Sequence, residues 1–277
     1  MASRRTRLTV TVFVAVVVVV LAVVWVPRLV RTAKSHFTAD VCTVQGYDLD
    51  PDQAAVASTM IGSVTDFRSP LPFRASVLVL MAGLQESKLR NLAPGDGDRD
   101  SVGVLQQRPS QGWGGGKAAA LTDVGEATRE FLAALVKVQD WQTMAPADAI
   151  QAVQISADGS AYAQHESEAT ALATALQGRR AADITCSFDA PTKVAAATTV
   201  AQQVGKQLGI TTPVARGRTV TVPGAHWQTA AWFVANSDRL GIDQVDYAGR
   251  TWKRSKGWKT SSAGSAAVVA TMHELKK

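Results

Sequence analysis

Residues 73–86 read FRASVLVLMAGLQE, a stretch that is apolar or small on nearly every side and ends in a glutamate. A helix that is apolar all round has to be buried all round, so this stretch predicts a central helix. On a wheel of 3.6 residues per turn, Glu86 continues the line of Ala75, Val79 and Ala82. We therefore expect its carboxyl at the end of a buried helix, on a face of small side chains.

Helical patterns lie on both sides of this central stretch and predict a mainly α domain. Asp50, Pro51 and Gln53 form a capping-box pattern that predicts a helix stopping near Phe67. The glycines, aspartates and proline of residues 91–116 argue against regular structure there. Further helices are predicted at residues 124–138, 147–155 and 161–176.

The last third of the chain has a different character and predicts a second, α+β domain. Residues 35–190 carry 11 bases and 19 acids, whereas residues 191–277 carry 12 bases and 4 acids. This change in balance predicts two modules, a domain at residues 35–189 and a smaller one at 190–277. The predicted elements of the domain at 190–277 are helices at 192–208 and 226–240, a strand at 218–222 and a hairpin of 244–247 with 250–252.

The N-terminal segment predicts one transmembrane helix. Residues 8–26 form an uncharged apolar run, which as a helix would span about 28 Å, close to the thickness of the hydrocarbon layer. We expect residues 1–34 to be a cytoplasmic N-terminus plus anchor, with the rest of the chain outside the cell. A cleaved signal peptide is the alternative, although the run is long for one and no A-x-A site follows.

Composition and charge exclude two broad classes of protein. With 46% apolar and 19% charged residues, the chain can bury a core and is not a disordered polymer. The net charge of +6 equals the six bases of residues 1–34, a segment without acids, so the remainder is neutral. A nucleic-acid-binding protein is therefore disfavoured.

The chain has only two cysteines, Cys42 and Cys186, and both follow the apolar run. Outside the cell they could form a disulfide, which would close a very long loop. Two unrelated buried thiols are the alternative. The predicted disulfide and the predicted topology support each other, because only an oxidising compartment permits the bond.

Glu86 is the candidate catalytic residue. Burial and the negative end of the helix dipole would both raise the pKa of its carboxyl. A carboxylic acid that is still protonated near neutral pH can serve as a general acid and protonate a leaving oxygen. A solvated glutamate at a helix end is the alternative interpretation.

The motifs around Glu86 resemble those of a known enzyme superfamily. Glu86-Ser87, followed by SVGVLQ at 101–106, resembles the lysozyme-like lytic transglycosylases, in which a catalytic E-S precedes G-L-x-Q. QESKLRNL, GDRDSVGVLQQRPSQGWG, AIQAVQ and AYAQHE are similar to an actinobacterial cell-wall domain of that superfamily, over about residues 42–186. The resemblance implies cleavage of peptidoglycan glycan strands without a cofactor. Glu86 would act as acid and then base while the sugar's own 6-hydroxyl closes an anhydro ring.

The resemblance also implies a set of substrate-binding residues. Trp113 would stack on a sugar face, and backbone and amide groups of the loop would orient N-acetyl sugars. Family members carry A-Y-N where this chain has Ala161-Tyr162-Ala163, so Tyr162 is a candidate whose alternative is a core tyrosine. The predicted loop residues are Ser101, Gly103, Gln106 and Gln107.

A hydrolase would use a second carboxylate, for which Asp98 and Asp100 are the candidates. The same D-x-D-x-D run lacks the glycine and the glutamate of an EF-hand loop, because Ser101 and Gln107 occupy those positions. The four histidines are far apart in the sequence and no C-x-x-C occurs, so no metal site is predicted.

The C-terminal module resembles the D-alanyl-D-alanine carboxypeptidase-like domain found beside such transglycosylase domains. Catalytic members carry a late H-x-H, whereas this chain has only His273 near its end. The resemblance therefore implies a degenerate, non-catalytic domain. Its surplus of bases could attract anionic wall polymers, with a plain solvated surface as the alternative.

Taken together, these features predict a membrane-anchored exterior enzyme that cleaves peptidoglycan glycan strands. The first alternative is a non-catalytic wall-binding or scaffold protein that keeps the fold without turnover. The second is an accessory protein of membrane transport. That alternative is weak because a single span offers no evident path for a solute.

Overall fold

The computed structural model describes residues 40–155 and 159–275. The predicted N-terminal segment 1–34 and its apolar run 8–26 lie outside these residues. In the two described ranges, no helix combines the length and the apolar character needed to cross a bilayer. The described chain mixes helix and sheet, as the predicted combination of an α and an α+β region requires.

In the helical part, between Asp50 and Gln177, the residues that the structure describes form six α-helices and three 3₁₀ segments. Gln53 Oε1 accepts a hydrogen bond of 2.7 Å from the Asp50 N–H, which confirms the predicted start of the first helix. The helices are α1 (Pro51–Thr65), α2 (Phe73–Ser87), α3 (Ala118–Leu121), α4 (Val124–Leu135), α5 (Pro146–Gln154) and α6 (Glu166–Leu176), and the 3₁₀ segments are Pro109–Gln111, Trp113–Gly116 and Gly159–His165.

Helix α2 is the central helix, as its sequence predicts. Its side chains from Ala75 to Leu84 are all buried, and α2 packs against α1, α4, α5 and α6. The helix ends at Ser87, and the next residue, Lys88, adopts a left-handed conformation with φ of 55°. This geometry turns the chain sharply immediately after Glu86 and Ser87.

Three predicted helices are partly wrong. The one at 192–208 begins only at Ala197, and the one at 226–240 is divided at Asn236 into Trp227–Ala235 and Ser237–Leu240. Residues 161–176 were expected to form a single helix, but Gly159–His165 is a 3₁₀ segment and α6 begins only at Glu166. Glu166 and Glu168 lie in the first turn of α6, where negative charge favours a helix start. The preceding 3₁₀ turns are typical of a helix N-terminus and place Tyr162 against α2.

A small antiparallel sheet of order β2-β1-β3 joins the two ends of the helical part. Its strands are β1 (Val41–Val44), β2 (Tyr47–Leu49) and β3 (Ile184–Ser187). Cys42 lies directly opposite Cys186 in the β1–β3 register, and the two form a disulfide. The predicted disulfide is therefore confirmed, whereas the sheet that aligns it was not predicted.

The C-terminal part is an antiparallel sheet of order β4-β5-β9-β6-β7-β8 with three helices. The predicted hairpin is confirmed, with Val245 of one strand opposite Trp252 of the next. The helices are α7 (Ala197–Leu208), α8 (Trp227–Ala235) and α9 (Ser237–Leu240), and the strands are β4 (Val214–Arg216), β5 (Thr219–Pro223), β6 (Ile242–Tyr247), β7 (Arg250–Lys253), β8 (Gly257–Thr260) and β9 (Ala267–Met272).

The helical part and the C-terminal part are closely packed. A Cβ on Gly62 of α1 would lie 2.1 Å from the carbonyl oxygen of Gln207, so only glycine permits this approach of α1 to α7. Asn236 donates a buried hydrogen bond of 2.9 Å to Ser58 Oγ. The connection at residues 189–190 thus joins two parts that belong to one compact unit beginning at Asp40.

Candidate active site

The candidate site is centred on Glu86 in the last turn of α2. Its Oε1 accepts hydrogen bonds from the Tyr162 hydroxyl at 2.5 Å and from Gln154 Nε2 at 3.3 Å. Gln154, the last residue of α5, also donates to the carbonyl oxygen of Leu105 at 2.8 Å. Three separate segments of the chain therefore converge on the carboxyl group.

Burial raises the pKa of Glu86 above its usual value, because the half-buried site disfavours the charged form. The hydrogen bonds from Tyr162 and Gln154 act in the opposite direction by stabilising the carboxylate, but burial is the larger effect. The raised pKa agrees with the expectation from the sequence and keeps more of the acid form at neutral pH.

Both donors bind the same oxygen of Glu86. Its other oxygen, Oε2, has no hydrogen-bond partner among residues 40–155 and 159–275. In the neutral acid, the oxygen that accepts these hydrogen bonds is the carbonyl-like one, so the proton belongs on Oε2. The acid proton is therefore not used in a hydrogen bond to the described part of the chain.

Ser87, the second residue of the E-S pair, attaches the following loop to α2. Its buried hydroxyl donates to the carbonyl oxygen of Val104 at 2.8 Å. The loop also forms isolated bridges that pair Leu92 with Gly103 and Val102 with Gln107. The G-V-L-Q segment is thereby fixed beside the carboxyl group of Glu86.

The four predicted loop residues are mostly turned inward. Ser101 and Gly103 are buried, and Gln107 is only 2% exposed. Gln107 Nε2 donates to the carbonyl oxygen of Ala127 at 3.3 Å, while its Oε1 has no partner in the described chain. Gln106 is half-buried and donates to Gly103 O at 2.8 Å, so it braces its own turn.

Gly103 is the residue on which the geometry of this loop depends. Its φ is +77°, and a Cβ there would lie 2.2 Å from the carbonyl oxygen of Leu121.

We expect Gly103→Ala to lower the free energy of unfolding by more than about 2 kcal/mol, because backbone strain and a clash with the Leu121 carbonyl both destabilise the folded state. Urea unfolding would measure the loss. Gly95→Ala is the matched control, with φ of +96° and open space around the new Cβ, and an equal loss in both variants would contradict the clash.

Trp113 lies apart from the hydrogen-bonded group around Glu86. It lines a groove of about 520 Å³ with Arg68, Glu126, Arg129 and Glu130. Glu130 accepts a hydrogen bond of 2.9 Å from the Gly114 N–H and so fixes the turn that carries the indole. The charged lining of this groove differs from the apolar and amide surroundings of Glu86.

The two candidate second carboxylates have different environments. Asp100 accepts hydrogen bonds from the Ser110 N–H at 2.9 Å and from Arg108 Nε at 2.7 Å. The side chain of Ser110, followed by Arg108 and the Ser110 N–H, holds the pKa of Asp100 well below its usual value by hydrogen bonding to the carboxylate. Asp98 is 91% exposed and is 3.8 Å from Arg99 Nε. Asp100 therefore braces the loop, and Asp98 is in solvent.

Two residues near Glu86, Gln154 and His165, were not singled out as site residues from the sequence. Gln154 and His165 occur in the quoted motifs AIQAVQ and AYAQHE, which was the available signal. His165 Nε2 lies 3.0 Å from Gln85 Oε1, and burial lowers the pKa of this histidine. The two motifs therefore form the wall that faces the end of α2.

Metal ligands are not clustered in the part of the chain that the structure describes. No three side chains from histidine, cysteine, aspartate or glutamate in this part are grouped to hold an ion. His273, the late histidine of the C-terminal part, instead lies 2.8 Å from a carboxylate oxygen of Asp243.

No known protein family and no curated protein gives a significant match to this chain.

Proposed function

We propose that the protein cleaves the glycan strands of peptidoglycan as a lytic transglycosylase, with Glu86 as its catalytic residue. The observation that carries the proposal is the carboxyl group of Glu86, whose pKa is raised by burial and whose Oε1 is held by Tyr162 and Gln154. Its Oε2 has no partner among the described residues and can present a proton to a glycosidic oxygen.

The first step would use the acid form of Glu86. The proton on Oε2 moves to the glycosidic oxygen as the bond from that oxygen to the anomeric carbon breaks. The leaving sugar gains a hydroxyl group, and positive charge develops on the remaining ring. The hydrogen bonds to Oε1 favour this step because they stabilise the carboxylate that forms.

The second step would return the proton. The Glu86 carboxylate accepts the proton of the 6-hydroxyl while that oxygen attacks the anomeric carbon and closes the anhydro ring. No water is consumed and Glu86 ends in its starting form, so one carboxyl group suffices. The role of Asp100 as a loop brace is consistent with this single-carboxylate scheme.

Tyr162 would be a positioning residue, since its ring is fully buried and its hydroxyl reaches Glu86. Its hydrogen bond lowers the pKa of Glu86, so Tyr162→Phe should raise that pKa further. The acid form then persists to higher pH, and the alkaline limb of kcat/KM should move upward. Tyr247→Phe is the matched control, because it removes a buried hydroxyl bonded to Ala225 O elsewhere. An unmoved alkaline limb in Tyr162→Phe would contradict this role.

A second proposal concerns the partners of the C-terminal part. Lys253, Lys256 and Lys259 line a depression of about 430 Å³ and have no ion-pair partner in the described chain. We propose that this surface adheres to anionic wall polymers. Such adhesion should weaken as salt rises through about 0.1 M, where exposed charges are screened beyond about 10 Å. Sedimentation with purified wall polymer at graded salt would measure it, and binding unaffected by salt would contradict it.

The proposed location follows from the apolar run at residues 8–26 and from the disulfide. We propose that the run anchors the protein in the cell membrane and that the catalytic part lies outside. Protease added to intact cells should then digest the C-terminal region. Protection of that region until the cells are broken would contradict this orientation.

The non-catalytic scaffold remains the second candidate. It is favoured by the inward position of Gln107 and by the separate groove of Trp113, since both were expected to hold sugars. Incubation of the full chain with purified peptidoglycan distinguishes the two candidates. Release of soluble glycan fragments supports the enzyme, whereas binding without release supports the scaffold.

A further inference from the structure

A cavity of about 570 Å³ lies between the helical part and the C-terminal part. Its wall includes residues of α1, the loop after α2, the start of α4, α7 and α9. Ala55, Val56, Leu92 and Val124 supply an apolar portion of the lining. This volume is within the range of small-molecule and peptide sites. Glu86 does not line this cavity, so it is separate from the site already described.

Three of the four basic side chains that line the cavity are already neutralised. Arg90 pairs with Asp50 at 2.5 Å, Arg129 with Glu126 at 2.9 Å, and Lys206 with Asp123 at 2.8 Å. These pairs account for every charged residue of the lining except Asp52 and Arg239. The charge available to a ligand is therefore one carboxylate and one guanidinium.

Arg239 is held in place without being neutralised. Its Nε donates to Asn236 Oδ1 at 2.6 Å and its Nη1 donates to Gln203 Oε1 at 2.7 Å. Both acceptors are neutral amides, and Nη2 has no hydrogen-bond partner among the residues described. A guanidinium fixed in this way can donate to a carboxylate with little further loss of side-chain freedom.

Asp52 supplies the opposite charge. It lies in the first turn of α1, and its charge acts on Arg239, yet no cation of the described chain is within 4 Å of it. The two groups thus line the same cavity and attract each other without forming an ion pair. A ligand that carries an ammonium group and a carboxylate could satisfy both, with small apolar groups between them against the lining.

We infer that this cavity binds a short peptide with free ends, whose carboxylate pairs with Arg239 and whose amino group pairs with Asp52. The inference does not depend on the proposed glycan cleavage. Peptides released from, or exposed in, a wall polymer are one source of such a ligand, and free peptides are another. The apolar part of the lining favours a peptide with apolar side chains, of which alanine is the simplest.

Titration calorimetry of the full chain in detergent with tri-alanine tests the inference. We expect wild type to bind the free peptide, and amidation of its carboxyl end or acetylation of its amino end to weaken binding about tenfold to a hundredfold. Arg239→Gln should weaken binding of the free peptide by a similar factor. It should not further weaken binding of the amidated peptide, which lacks the carboxylate. Asp52→Asn should behave in the same way toward the acetylated peptide.

The controls separate this site from its surroundings and from catalysis. Arg250→Gln, an exposed arginine of β7 outside the cavity, should leave binding unchanged. Glu86→Gln should also bind the peptide normally, so failure of glycan cleavage and failure of peptide binding are distinguishable. The inference is overturned if wild type gives no binding of tri-alanine, or if blocked and free peptides bind equally.

Discussion

Glu86→Gln is expected to lower the rate of glycan cleavage by about 10² to 10⁴ while glycan binding largely survives. Glutamine keeps the size of the side chain and can still accept hydrogen bonds from Tyr162 and Gln154 at its amide oxygen. It cannot release the proton that the Oε2 position would otherwise carry. Single-turnover cleavage of peptidoglycan and a separate binding measurement would resolve the two effects.

The pH dependence of stability supplies a control for the same variant. Burial raises the pKa of Glu86 in the folded state. Its acid form therefore contributes fully to folding stability at pH values below the pKa that Glu86 has in the unfolded chain. That contribution is lost as the pH rises through the folded pKa. The difference in free energy of unfolding, variant minus wild type, should therefore be more favourable to Glu86→Gln at alkaline pH than at acidic pH. An inactive variant that is also less stable at every pH would indicate misfolding instead of a lost proton donor.

Removal of the disulfide is expected to cause the largest loss of stability. The bond joins residues separated by 144 positions, and in the chain-entropy model closing a loop of that size contributes about 5 kcal/mol. Replacing Cys42 and Cys186 together by alanine should lower the free energy of unfolding by an amount near this. Urea unfolding of the variant and of wild type, both without reductant, would measure it.

The position of the bond makes the effect global. Cys42 and Cys186 are both buried, and β1 and β3 bring together the start and the end of the helical part. Trp252 donates from its Nε1 to Cys186 O at 3.2 Å, so the C-terminal sheet also rests on this strand. Equal unfolding midpoints for the variant and wild type would show that the hydrogen-bonded β1–β3 pair suffices without the bond.

The sequence was most informative where the local pattern alone determines the structure. The middle of residues 73–86 is apolar or small on nearly every side, so its burial and the place of Glu86 at the helix end required no knowledge of distant contacts. The hairpin of β6 and β7 was similarly predictable, because Ala248-Gly249 marks a turn between two strand-like stretches. In both cases the residues that form the structure are close in sequence.

The missed features depend on contacts between distant segments. Strands β1 and β3 have only four residues each and pair across the whole helical part, so neither has a local signal strong enough to predict it. The direction of Gln107 depends on its packing against Ala127, and that of Trp113 on the turn fixed by Glu130. Loop side chains of this kind are placed by the surrounding fold and not by their own motif.

In the proposed mechanism one carboxyl group, that of Glu86, both donates and recovers the proton of glycosidic cleavage. The most direct test is to digest peptidoglycan with the full chain in water labelled with heavy oxygen and to analyse the new glycan ends by mass spectrometry. We expect anhydro ends that carry no label, because the sugar's own 6-hydroxyl attacks the anomeric carbon. Reducing ends that carry the label would contradict it and would indicate a hydrolase that activates water with a second carboxylate.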